Sequence, residues 1–181
     1  MKEKIVANKS IIMLIASIVA AALLVPTFIG YFGARVTANT LLELIEDGLL
    51  LFSALVLVFL LAYKKELTLK TLLIPVVLIT SSLMLGSIYS IIEYDSWISI
   101  YYLAIYGSIL ILYIIAMINP IKYIKYALYI LLLIVIVMAL LGVFGGNMIS
   151  TARVIIFVII TINFYLLTNG KEKVEQWKNH H

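Results

Sequence analysis

The stretch YALYILLLIVIVMALLGVFGGNMISTA, residues 126–152, carries no charge between Lys125 and Arg153. About 20 consecutive apolar residues are enough to cross a hydrocarbon core about 30 Å thick. In lipid every backbone amide needs a partner within the protein, so a run of this length is helical unless it belongs to a closed barrel. The alternation of apolar and polar residues that marks a barrel strand is absent from it.

Outward from this run, charges divide the rest of the chain into further uncharged stretches at 10–34, 48–63, 71–92, 96–121 and 154–170. The chain of 181 residues is 65% hydrophobic, against about 45–50% for soluble proteins. The expected fold is all-α, a polytopic integral membrane bundle of six transmembrane helices in a single domain, residues 1–181. The helices are predicted at about 10–33, 41–63, 71–92, 97–118, 121–142 and 151–169. The two shortest stretches need neighbouring residues: the second extends back to Leu41, and the last takes in Thr151 and Ala152. No polar linker separates a second domain. The start of the chain resembles a secretory signal, with Lys2 and Lys4 before an apolar run and Ala20-Ala21-Ala22 as a candidate cleavage site; it is read as a retained first span.

Lysine and arginine set the expected orientation, because short cytoplasmic loops retain positive charge. Lys2, Lys4 and Lys9 precede the first helix, and Lys64, Lys65 and Lys70 join the second and third. Lys122 and Lys125 join the fourth and fifth, and Lys171, Lys173 and Lys178 follow the sixth. The only arginines, Arg35 and Arg153, fall on the other side with Glu43, Glu46, Asp47, Glu93 and Asp95. Both termini are therefore expected in the cytoplasm of a cell membrane. The basic residues are spread over four segments beside helix ends, which suits anionic lipid on that face, at about 1 kcal/mol per lysine, and not nucleic acid.

Thr40-Leu-Leu-Glu43 matches a capping box, so the second helix is expected to start at Leu41. Glu43, Glu46 and Asp47 then share one face at spacings of three and four residues, in or just below the membrane interface. Three acids there repel one another unless an arginine or a cation offsets them. This makes Glu43, Glu46 and Asp47 with Arg35 and Arg153 a candidate ion or proton site, set against the plainer reading of a capped and ion-paired helix end. Asn119-Pro120 is read as the N-cap and first position of the fifth helix, and Pro26 and Pro75 as interruptions within helices one and three. Glu93, Tyr94 and Asp95 are placed in the short turn before the fourth helix.

Thr161 and Asn163 in the sixth helix, with Ser81 and Ser82 beside Thr80 in the third, form a candidate polar cavity. Interhelical hydrogen bonds account for them equally well. Tyr102, Tyr106 and Tyr113 share a face of the fourth helix, where an aromatic belt or a flat-ring pocket is conceivable. Small residues recur every four positions at Ala16/Ala20, Ser82/Gly86/Ser90, Ala104/Ser108 and Gly142/Gly146, a pattern that lets helix backbones approach closely.

The chain has no cysteine, and its only histidines are His180 and His181. Thiol chemistry is excluded, haem ligation by histidine is not expected, and no acid–base pair with a nucleophile is visible. The sequence therefore points to a protein without cofactor and without catalytic residues. It reads first as a non-catalytic subunit of a larger membrane assembly, in contact with other membrane subunits. The alternative is a small solute or ion transporter, or the substrate-binding membrane subunit of one, with an outward-facing acidic site on the second helix.

The missing native cysteine makes the orientation directly measurable. A single cysteine introduced as Ala34→Cys is expected to react with a membrane-impermeant maleimide on intact cells, and one introduced as Thr68→Cys only after permeabilisation. The opposite pattern would invert the topology.

Overall fold

The second and third helices begin in the same way. At Thr37 and again at Thr68, the threonine hydroxyl accepts the backbone N–H three residues on, at 3.2 Å in both cases. The hydroxyl of that third residue, Thr40 or Thr71, accepts the cap's own N–H at 2.7 Å and 3.1 Å. Each pair is a capping box with threonine standing where glutamate or glutamine is usual.

The computed structural model describes residues 2–33, 37–63, 67–119 and 121–178; Arg35, Lys64, Lys65, Glu66, Pro120, His180 and His181 lie outside the described residues. Six helices follow one another, α1 (Lys2–Gly30), α2 (Ala38–Tyr63), α3 (Leu69–Tyr94), α4 (Trp97–Ile118), α5 (Lys122–Phe144) and α6 (Met148–Lys178), with a short 3-10 turn at Tyr31–Gly33 after α1. Among the described residues there is no strand. Each helix contains a segment long and apolar enough to cross a membrane; in α1 it is Ile11–Gly30 and in α6 Met148–Thr168. The helical class and the number of spans thus agree with the sequence reading.

Several boundaries do not. The second helix starts at Ala38, not Leu41, because Thr37 offers a cap one turn earlier and Thr40 does the work expected of Glu43. Glu43, Glu46 and Asp47 therefore lie about 4.5 Å farther along the helix than expected. Asn119 is not the N-cap of the fifth helix; it closes α4, donating its N–H to the Ile115 carbonyl at 2.8 Å, and Ile121 precedes α5. Glu93 and Tyr94 belong to α3, leaving Asp95 and Ser96 as the whole connection to α4. Asp95 has a φ of 47°, the left-handed region that aspartate tolerates better than most residues and that ends a helix sharply. The sixth helix starts three residues before Thr151, because Asn147 caps it: its side-chain oxygen accepts the Ser150 N–H at 3.2 Å and its carbonyl the Thr151 N–H at 3.1 Å.

The helices pack in a ring in chain order, α1 closing against α6, and α6 also touches α2 and α3. That second set of contacts makes α6 the interior helix. Its buried stripe, Ala152, Ile156, Phe157, Ile160 and Phe164, follows the three-and-four spacing of a helix facing a core. It meets Leu50, Ala54 and Leu57 of α2, Leu72, Val76 and Ile79 of α3, and Tyr113 of α4 in a single cluster. Small side chains set the closest approaches. A methyl group added at Gly142 would collide with the Ser150 side chain, so the α5–α6 hairpin depends on that glycine. Away from the core, Ile12, Phe52, Phe59, Ile111, Leu133 and Leu141 point outward and are exposed, an apolar exterior that suits hydrocarbon and not water.

Buried hydroxyls are satisfied mostly along their own helices. Ser17, Thr80, Ser87 and Thr168 donate to carbonyls four residues earlier at 2.7 to 2.9 Å. Ser53 instead crosses from α2 to the Pro75 carbonyl of α3 at 2.9 Å, where proline has removed an amide from the preceding turn. Tyr113 likewise crosses from α4 to the Leu69 carbonyl at 3.1 Å.

Candidate functional site

Glu46 lies about 12 Å along α2 from Ala38, and Arg153 about 8 Å along α6 from Met148, at 1.5 Å per residue. Both are inside apolar spans. A charged side chain at such a depth needs a partner, and the two meet: the Arg153 guanidinium donates through Nη2 to Glu46 Oε1 at 2.6 Å. Their side chains are 24% and 19% exposed.

Two features of α3 hold the pair in place. The Ser82 hydroxyl donates to the Glu46 backbone carbonyl at 2.8 Å, fixing the turn of α2 that carries the acid. One turn on, Gly86 faces the carboxylate, so that a methyl group there would come within 2.7 Å of both its oxygens. The carboxylate therefore occupies the space that any larger residue would fill.

Asp47 is buried and is bound from the other side. Tyr31, in the 3-10 turn after α1, donates its hydroxyl to Asp47 Oδ2 at 2.9 Å. Partial burial, reinforced by this bond and by the negative charge of Asp47, raises the Tyr31 pKa above the ordinary tyrosine value. Glu43, one turn earlier on α2, is exposed.

On the far side of Arg153 is a cavity of about 160 Å³. Tyr102 and Tyr106 of α4, Ser150 and Arg153 of α6, Leu83 of α3 and Ala139 of α5 are among its walls, and Arg153 is the only charged side chain in them. The Arg153 Nε is buried and has no hydrogen-bond partner among the described residues. The chamber thus presents one guanidinium and three hydroxyls within an otherwise apolar wall.

Of the acids and arginines grouped from the sequence, the structure joins Arg153 to Glu46 and places Asp47 beside them; Glu43 stays at the surface, and Arg35 lies outside the described residues. Because α2 starts earlier, the acids lie farther from its first residue than expected. None of them lines the cavity, and among the described residues no three carboxylate, histidine or cysteine side chains are close enough to hold a metal ion.

Thr161, Asn163, Ser81 and Ser82 do not converge on a chamber. Thr161 donates to the Phe157 carbonyl at 2.7 Å. Asn163 donates to the Ile159 carbonyl at 2.8 Å and toward the Met13 sulfur of α1 at 3.3 Å. Ser82 serves Glu46, and Ser81 is half-buried elsewhere on α3. Tyr113 parts from Tyr102 and Tyr106: it packs on Phe164, ring centroids 5.5 Å apart.

Tyr31, Gly86 and Ser150 carry site roles that the sequence did not reveal. Gly86 alone gave a signal, as a member of a small-residue repeat, but for helix contact and not for a carboxylate. Comparison of the chain with models of known protein families, with curated proteins and with solved structures finds no match.

Removing one member of an ion pair in apolar surroundings leaves the other uncompensated. Glu46→Gln and Arg153→Gln are each expected to lower stability in detergent by about 2 kcal/mol, with a coupling of about 1–2 kcal/mol in the double variant. Thermal or denaturant unfolding of the four proteins measures this; additive losses would count against the pair. Gly86→Ala is expected to displace the carboxylate and cost a similar amount, but little in a Glu46→Ala background.

Tyr31 contributes through its neutral hydroxyl. Because its folded pKa is raised, that contribution is complete below the unfolded value of about 10 and is lost as pH rises through the higher folded value. Alkaline melts of Tyr31→Phe should show a smaller loss of stability above about pH 10 than those of the parent.

Proposed function

We propose that this chain is a non-enzymatic membrane transport protein, or the solute-binding membrane subunit of a transporter, whose solute enters the cavity between α3, α4, α5 and α6. One observation carries the reading: the cavity at Arg153 combines a guanidinium, three hydroxyls and an apolar wall. Ligand sites in membrane bundles are built in this way, from a few polar groups converging inside an apolar shell. An ionisable group held inside an apolar span is itself a mark of a solute or proton path.

In this reading both termini lie in the cytoplasm of a cell membrane and the lysine-bearing segments rest on anionic lipid. The Arg153 end of the bundle then faces outward, and no cofactor takes part. No acid lines the cavity, so this reading seats the solute beside Arg153, one of the five residues expected to form an ion or proton site with Glu43, Glu46, Asp47 and Arg35. Glu46 acts from behind, as the group that holds the guanidinium.

A second reading, a non-catalytic subunit of a larger membrane assembly, is favoured by a separate feature of α4. Ala104 is exposed on the outside of the bundle and Ser108, one turn on, is only half-buried, a small-residue strip of the kind against which another helix packs. Stoichiometric partners on a native gel after mild detergent extraction support this reading.

Flux separates the two. Liposomes containing the purified protein are expected to swell faster than empty ones in isosmotic solutions of at least one small polar solute from a panel including propionate, propionamide and glycerol. Ala139→Leu, which fills the cavity, should abolish the difference while leaving the protein monodisperse. Swelling that matches empty liposomes for every solute would overturn the transport reading.

A further inference from the structure

We propose that the cavity takes a small carboxylate anion, and that each anion bound brings one proton onto Glu46. The inference rests on the transport reading and names its solute class.

The sign of the charge comes from the wall. Arg153 is the only charged residue lining the cavity, and the nearest acids lie behind it. A cation in that chamber would face a guanidinium with no carboxylate in reach; an anion would face its natural partner. Arginine offers five N–H donors in a planar fork that matches a carboxylate. Nη2 is given to Glu46, whereas Nε is buried without a partner among the described residues. Tyr102, Tyr106 and Ser150 add hydroxyls that can donate to an anion.

Size restricts the anion. The chamber of about 160 Å³ is close to the engineered cavity of about 150 Å³ that holds one benzene. A short-chain carboxylate fits such a volume, with Leu83 and Phe157 among the apolar walls beside it.

Charge balance then requires the proton. Arg153 is already neutralised by Glu46, so a second carboxylate would leave an uncompensated negative charge in apolar surroundings. The groups facing Glu46 offer no relief. Asp47 and Glu43 on its own helix, and Tyr106 from α4, are acidic or neutral, and Tyr31 of the 3-10 turn reaches it only through Asp47. The α3 wall supplies Ser82 and Gly86. Among the described residues Arg153 is the single positive charge facing it. A proton on Glu46 cancels the competing carboxylate and frees the guanidinium for the solute. Anion and proton enter together, and the net charge of the cluster is unchanged.

Calorimetric titration of the whole protein in lipid nanodiscs tests this, with propionate and the uncharged propionamide as probes, in two buffers of different ionisation enthalpy. Propionate is expected to bind with uptake of one proton and to tighten about tenfold for each unit that pH falls, and propionamide to bind far more weakly at every pH. Glu46→Gln should bind propionate with an affinity independent of pH, and Arg153→Lys should lose at least about tenfold, because an ammonium cannot reproduce the fork. Propionate binding without proton uptake overturns the coupling. So does a pH dependence that survives in Glu46→Gln, the mark of the neutral acid as ligand. Propionamide binding in preference to propionate overturns the anion but leaves the solute cavity standing; binding of neither overturns both.

Discussion

A charged side chain among apolar helices has to bring its counter-charge with it, and in this bundle that requirement shapes everything around Arg153. The guanidinium can reach Glu46 only if α6 lies against α2 as well as against its neighbours in the ring. That demands an interior α6, with small or slender residues where it crosses. Gly86 makes room for the carboxylate, Ser82 anchors the backbone behind it, and Gly142 lets α5 close on Ser150. Each of these residues is ordinary in isolation. Together they place one ion pair where water does not reach freely, so the strength of the pair and the shape of the adjoining cavity depend on each other.

The helices that carry the pair begin at local caps. Threonine at the cap and at the third position gives α2 and α3 the same reciprocal start, and Asn147 does similar work for α6. Starting α2 one turn early lengthens the helix ahead of the three acids. Glu43 remains at the surface, Asp47 takes a hydroxyl from the 3-10 turn, and Glu46 pairs with Arg153. Which of three similar carboxylates meets the arginine is set by the face of α2 that α6 approaches.

How much of this could be read in the chain follows from the range of each interaction. Six spans were legible because apolar length is a local property, and the uncharged run at 126–152 states it directly. The α2 start was misplaced by one turn because Thr40-Leu-Leu-Glu43 satisfies the capping pattern as well as Thr37-Ala-Asn-Thr40 does on paper; only the geometry decides between two overlapping caps. Asn119 and Pro120 misled in the same manner, since the residue that ends one helix and the residue that begins the next share their preferences. At the site, Glu46, Asp47 and Arg153 were named from charge alone. Which acid pairs with which arginine was not legible, because it depends on how α6 sits in the ring. Tyr31 had no pattern to mark it, and Tyr102 and Tyr106 were grouped with Tyr113 by helical spacing, although the lower part of α4 turns its tyrosine to Phe164 and the upper part to the cavity. The four residues grouped as a polar cavity share a composition, but Thr161 bonds within α6, Asn163 bonds within α6 and reaches toward α1, and Ser82 reaches across to α2.

The ion pair joins residues 107 positions apart, and the chain is made from one end to the other. At about 5–20 residues per second, the acid leaves the ribosome about 5–20 s before its arginine does. During that interval Glu46 is without the arginine that pairs with it in the finished bundle. The last helix therefore completes both the ion pair and a wall of the cavity beside it.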